Sequence, residues 1–141
     1  MSQTYINPPV PFRINVNLVE KKKIVVKGRP LAEAKRFTFN FQKGILSDAP
    51  NIAFHFDVRY ENRVIVLNYR NRGQWGREIR PTVFPFLEKE QFTLEFLVDA
   101  EMFTVDVNGA EVAQFPHQLP IQLVDAFTIE GNVFLSEVQV M

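Results

Sequence analysis

In Arg36-Phe37-Thr38-Phe39-Asn40-Phe41 a phenylalanine occupies every second position. Successive side chains of a strand point to opposite faces, so this spacing puts three rings on one side of a sheet and three polar groups on the other. No helix presents that pattern as a single face. The period recurs in Phe92-Thr93-Leu94-Glu95-Phe96-Leu97-Val98 and in Phe103-Thr104-Val105-Asp106-Val107. The latter runs through Asn108-Gly109 into Ala110–Phe115. Asn-Gly between alternating runs is a hairpin signal, because both turn positions need positive φ. The last strand expected is Val133–Val140.

Turn signals arrive about every ten residues: Gly28-Arg29-Pro30, Lys43-Gly44, Ser47–Pro50, Asn71-Arg72-Gly73, Asn108-Gly109 and Gly131-Asn132. Short strands between regular punctuation predict an all-β sandwich whose two facing sheets bury Phe, Leu, Ile and Val. There is no helical stripe and no repeat. Residues 1–10, with Asn7-Pro8-Pro9 and then Val10-Pro11, are expected to be an extended N-terminal segment. Residues 11–141 are expected to form one domain, a size at which about two-thirds of the unfolded chain's surface is buried.

Composition excludes several functions. The 16 basic residues balance 16 acidic ones, so no broad nucleic-acid surface is expected. The single basic block, Lys21-Lys22-Lys23, fits a solvated turn. The absence of cysteine removes disulfides, thiol catalysis and thiolate metal sites. His55 and His117 are too far apart in sequence to suggest a metal site, and no cofactor motif is present. No apolar run is long enough for membrane insertion or for a signal peptide, which predicts synthesis in the cytosol.

The segment Asn51–Tyr60 reads NIAFHFDVRY. One face carries Ile52, Phe54, Phe56, Val58 and Tyr60, a core face. The other carries His55, Asp57 and Arg59, spaced about 7 Å apart. Val64–Asn68 can pair with it through the Glu61-Asn62 turn, with Val66 and Asn68 sharing a face. Then follows Gln74-Trp75-Gly76-Arg77-Glu78-Ile79-Arg80, which holds the only Trp in a polar setting. Such a ring is expected to be partly exposed. Together these residues suit a neutral sugar. Galactose has an axial 4-hydroxyl, which leaves one face of the ring as a C–H patch that can lie on an indole. The hydroxyls require planar donors and acceptors, supplied by His, Asn, Arg and carboxylates. Arg59 and Arg80 flanking Glu78 are expected to hold its geometry by charge-assisted bonds.

His55–Arg59, Val66-Leu67-Asn68 and Trp75–Arg80, in this order and spacing, resemble the galectin carbohydrate-recognition signature. Val83-Phe84-Pro85-Phe86 is similar to that family's next strand. Phe115-Pro116 and Ala126–Gly131 fit its closing pattern, and the likeness covers about residues 10 to 141. It implies an antiparallel jelly-roll β-sandwich of two five- to six-stranded sheets, with a shallow groove outside one of them. It further implies roles: His55 and Arg59 at the galactose 4-hydroxyl, Asn68 and Glu78 at the 6-hydroxyl, and Trp75 beneath the ring. Glu78 and Arg80 would reach an adjoining glucose or N-acetylglucosamine, with Val66 as an apolar wall and Arg77 as a helper. The implied partners are galactose-containing glycans, held more strongly by a homodimer or by a second domain in tandem. The implied location is cytoplasmic, or extracellular by signal-peptide-independent export.

Two positions depart from the family: Asp57-Val58 stands where Asn-Pro is usual. A carboxylate only accepts hydrogen bonds. Asp57 is therefore expected to compete with His55 for the proton of the 4-hydroxyl, and Asp57→Asn to tighten lactose binding. Two other readings remain open. One is a galectin-fold domain with an altered site for another glycan or a protein. The other is a glycosidase using Asp57 and Glu78, disfavoured because arginines keep Glu78 ionised and a poor general acid.

Overall fold

The computed structural model describes residues 2–141. Twelve strands run in chain order: β1 (Gln3–Ile6), β2 (Phe12–Asn15), β3 (Lys23–Pro30), β4 (Arg36–Gln42), β5 (Ile52–Arg59), β6 (Val64–Asn71), β7 (Gln74–Trp75), β8 (Phe92–Val98), β9 (Met102–Val107), β10 (Ala110–Pro116), β11 (Ala126–Gly131) and β12 (Val133–Val140). The one helical piece among the described residues is a 3-10 turn, Ile121–Leu123. The strands form two six-stranded antiparallel sheets, ordered β1-β12-β3-β8-β9-β10 and β2-β11-β4-β5-β6-β7. The expected jelly-roll sandwich is therefore present, with six strands on each side. No helix is long and apolar enough to cross a membrane among these residues.

The core follows from the phenylalanine spacing. Of the fourteen Phe, all but Phe84 and Phe134 are buried. Phe37, Phe39 and Phe41 of β4 and Phe54 and Phe56 of β5 face across to Phe96 of β8. The Phe96 ring lies 5.6 Å from Phe39, 5.2 Å from Phe41 and 5.6 Å from Phe56. Each such ring contributes about 1.5–3 kcal/mol by burial. Tilted and edge-on pairs add about 0.5–1.5 kcal/mol. The rigid wall made this way carries the opposite face of β4 and β5.

Turn chemistry is as expected at Asn108-Gly109, where φ is 51° and 85°. Gly28-Arg29-Pro30 differs: it is not a turn but the end of β3. A Cβ on Gly28 would sit 2.3 Å from the Phe134 carbonyl oxygen, so glycine is required there by close strand approach. Val83–Phe86 is not a strand either. Pro81 and Pro85 lack the N–H that a ladder needs, and the segment crosses from one sheet to the other. It plugs the sandwich with Phe86, whose ring meets Phe37 edge-on at 5.6 Å and Phe92 at 5.1 Å. Within residues 1–10, Met1 lies outside the described residues. Gln3–Ile6 is extended and paired with Ile6↔Glu137 to Gln3↔Val140, as a strand of the sandwich.

Candidate functional site

The register of the second sheet assembles the site. Asn40 of β4, His55 of β5 and Asn68 of β6 stand abreast. Thr38, Asp57 and Val66 form the next row, and Arg36 and Arg59 the row beyond. All belong to the outward phase of strands whose inward phase is apolar, mostly phenylalanine in β4 and β5 and Ile65 and Leu67 in β6. A groove of about 300 Å³ lies over these rows. Six expected residues line it: His55, Arg59, Val66, Asn68, Trp75 and Glu78, joined by Arg36 and Gly76.

Trp75 sits on the two-residue edge strand and is 48% exposed. Its ring centroid is 4.7 Å from that of His55. A Cβ on Gly76 would meet the Tyr69 ring, so a larger residue there would require that ring to shift. Asn68 is fixed at both ends of its amide: Nδ2 donates to the Gly76 carbonyl (3.1 Å) and Oδ1 accepts from the Tyr69 N–H (2.8 Å).

His55 is buried, and its Nδ1–H donates to Asn40 Oδ1 at 2.7 Å. Nε2 is then the acceptor. Burial lowers the imidazole pKa from 6.5 to about 4, against the opposing pull of Asp57. His55 is therefore neutral near pH 7, able to accept a hydroxyl proton.

Asp57 is placed differently from expectation. It has no exposed surface and lies beneath the groove. Its Oδ1 accepts from Arg36 Nε (2.8 Å) and Thr38 Oγ1 (2.9 Å), and its Oδ2 from Arg59 Nε (2.7 Å). Burial by itself would raise its pKa, but the Arg59, Arg36 and Thr38 hydrogen bonds outweigh it and hold the carboxyl below its ordinary value. Its oxygens thus face protein donors beneath the groove, and Oδ2 also lies 3.9 Å from His55 Nε2. Arg59 accordingly pairs with Asp57, not with Glu78 as expected. Glu78 pairs with Arg80 alone, Oε2 accepting from Nε at 3.0 Å and from Nη2 at 2.9 Å. Arg80 is thus at the rim, half exposed. Arg77 is not brought in: it lines a different cavity with Tyr69, Ile79 and Phe115.

Arg36, Thr38 and Asn40 were absent from the sequence-based set. Their signal was present in the alternation that turns Phe37, Phe39 and Phe41 inward, but only the pairing of β4 with β5 makes them site residues. No cluster of three or more His, Asp or Glu able to hold a metal occurs among the described residues.

Comparison with known proteins agrees with this geometry. A family model described as galactoside-binding lectin matches residues 9–140. Galectin-4 of Sus scrofa is 36% identical over 138 residues, covering 95% of this chain and 42% of that protein. Galectin-4 of Bos taurus is 32% identical over 139 residues, 96% of this chain and again 42% of the relative. The chain thus spans about two-fifths of the length of these relatives. Among solved structures, Caenorhabditis elegans galectin LEC-6 superposes with a TM-score of 0.90 at 27% identity, covering 98% of this chain and 95% of that one. Six-stranded sheets, a tryptophan-edged groove and a family match across nearly the whole chain converge: this protein belongs to the galactoside-binding lectins, the galectins.

Proposed function

We propose that this domain binds β-galactoside-ended glycans, of the lactose or N-acetyllactosamine type, non-covalently in the groove. The observation that carries the reading is the half-exposed Trp75 beside a neutral His55 whose Nε2 accepts, with Arg59 donors across the same floor. An axial 4-hydroxyl can donate to His55 and accept from Arg59, while the C–H face of its ring lies on the indole. Val66 and Asn68 line the groove between them.

Each neutral hydrogen bond contributes about 0.5–1.5 kcal/mol and each charge-assisted one about 1.5–3 kcal/mol. After association costs, a shallow groove gives a Kd between about 1 μM and 1 mM. Stronger attachment to cells would come from multivalency, in a homodimer or beside a second domain, as the greater length of the relatives favours. Action in the cytoplasm, or outside the cell by signal-peptide-independent export, belongs to the same reading.

The domain carries out no covalent chemistry in this reading. A glycosidase needs one carboxyl held protonated as general acid. Asp57 is buried against two arginines, and Glu78 is bonded to Arg80.

Calorimetry with lactose and cellobiose tests the proposal, because the two differ only in the configuration of the outer 4-hydroxyl. Saturable binding of lactose, and none of cellobiose at the same concentration, is expected. Equal binding of both, or of neither, would send the groove to a different glycan or a protein ligand. Release of nitrophenol from a nitrophenyl galactoside would instead establish an enzyme.

The pH profile has a definite shape. Both shifted groups are depressed, so each favours the folded state above its unfolded pKa and loses that contribution as pH falls. For His55 the loss runs from 6.5 down to about 4; for Asp57 it begins near 3.8 and continues below. Lactose affinity should be constant within about twofold from roughly pH 5.5 to 8, then fall about tenfold by pH 3 as His55 loses its acceptor. A midpoint near 6.5 in the same titration would mean that His55 is not the buried acceptor described here.

A further inference from the structure

Trp75 presents a puzzle of support. Its strand is two residues long, joined to β6 by the pairs Arg70↔Trp75 and Asn71↔Gln74. Half of the ring is exposed, so core packing does not fix its angle. Stacking on a sugar nevertheless requires the ring to be held in place, since ordering it on binding costs affinity.

The cross-strand partner supplies the missing support. The Arg70 side chain is only 18% exposed, and its guanidinium carbon lies 5.4 Å from the Trp75 ring centroid. A guanidinium at this distance from an indole is attracted by the ring's electron-rich face. Arg70 is itself anchored. Nη1 donates to Asp48 Oδ1 at 2.7 Å and to the Ala49 carbonyl at 3.2 Å, while Nε is buried with no partner. The loop holding Asp48 is tied to the Trp75 hairpin twice more, through Gly73 N–H to the Pro50 carbonyl (2.8 Å) and Arg72 N–H to Asn51 Oδ1 (2.9 Å).

We propose that Arg70 is a positioning residue for the sugar platform. The Asp48–Pro50 loop pins its guanidinium, the guanidinium backs the Trp75 indole, and His55 contacts the same ring at 4.7 Å. The loop between β4 and β5, which lines no part of the groove, thereby sets how firmly the platform is held. This rests on the galactoside reading for its ligand, but not for the state of the ring.

Trp75 is the only tryptophan, so its fluorescence reports on this ring alone. The test compares wild type, Arg70→Met, Arg70→Lys and Asp48→Ala by acrylamide quenching without sugar, and then by lactose calorimetry. Asp48 is 87% exposed, so its replacement opens no core cavity should Arg70→Met not fold, and Asp48→Asn serves beside Asp48→Ala because it tolerates the φ of 59° at this position. Arg70→Met and Asp48→Ala should each raise the quenching constant and weaken lactose binding about two- to fivefold, the range of one cation–π contact, with Arg70→Lys between them and wild type. Quenching and affinity both unchanged in Asp48→Ala and Arg70→Met would overturn the proposal. So would looser quenching with unchanged affinity. Should wild type itself bind no lactose, the galactoside reading fails, and the quenching series still decides whether Arg70 holds the ring.

Discussion

Asp57→Asn is expected to destabilise the domain by about 2 kcal/mol and lower Tm by roughly 5–10 °C, while weakening lactose binding tenfold or more. The substitution keeps shape and one carbonyl acceptor. It removes the carboxylate charge bonded to both Arg36 and Arg59, and it turns an N–H group toward a guanidinium. Breaking a fully buried pair costs about 3–5 kcal/mol, but here the arginines are 55% and 34% exposed and can turn to water, which lowers the figure. The loss of binding comes from Arg59. Its Nε is held by Asp57 Oδ2, which fixes the guanidinium where Arg59 lines the groove. Thermal denaturation and lactose calorimetry on one preparation check both parts. Tighter binding at unchanged Tm would restore the idea that the carboxylate opposes the ligand, and would remove its role as a clamp.

The second large effect separates binding from folding. Trp75→Ala should abolish detectable lactose binding at millimolar sugar and change stability by less than about 1 kcal/mol. The ring is half exposed on an edge strand, so its removal opens no core cavity. What disappears is the one flat apolar surface in a groove otherwise lined mainly by polar groups. Urea unfolding monitored by circular dichroism gives the stability, since the fluorescence reporter is lost with the residue. Retained binding in this variant would place the sugar elsewhere on the sheet.

Much of this architecture was legible from residue order alone. The alternation in Arg36–Phe41, Asn51–Tyr60 and Phe92–Val98 determined which side chains face inward, because successive side chains of a strand point to opposite faces regardless of neighbours. It put His55 and Arg59 on the outer face of one strand and left Trp75 among polar residues, and both placements hold in the structure. Asn108-Gly109 fixed its own turn through the positive φ both residues tolerate.

Other features had no local signal. Gly28 looked like a turn residue, but it is there to let a neighbouring strand approach, and that strand begins more than a hundred residues later. Val83–Phe86 had strand-like residues but found no ladder partner, and its rings went to close the sandwich. Arg59 had two carboxylates within reach by sequence, Asp57 and Glu78. Which one it bonds depends on desolvation and on Arg36 arriving from β4 to share the same buried carboxylate. The sequence by itself determined the faces of the strands, the kind of core and the chemistry of the groove. The tertiary structure decided the pairing of charges and the support of each ligand-facing group. Periodicity is a property of one strand, whereas register and burial are set by strands that meet only on folding.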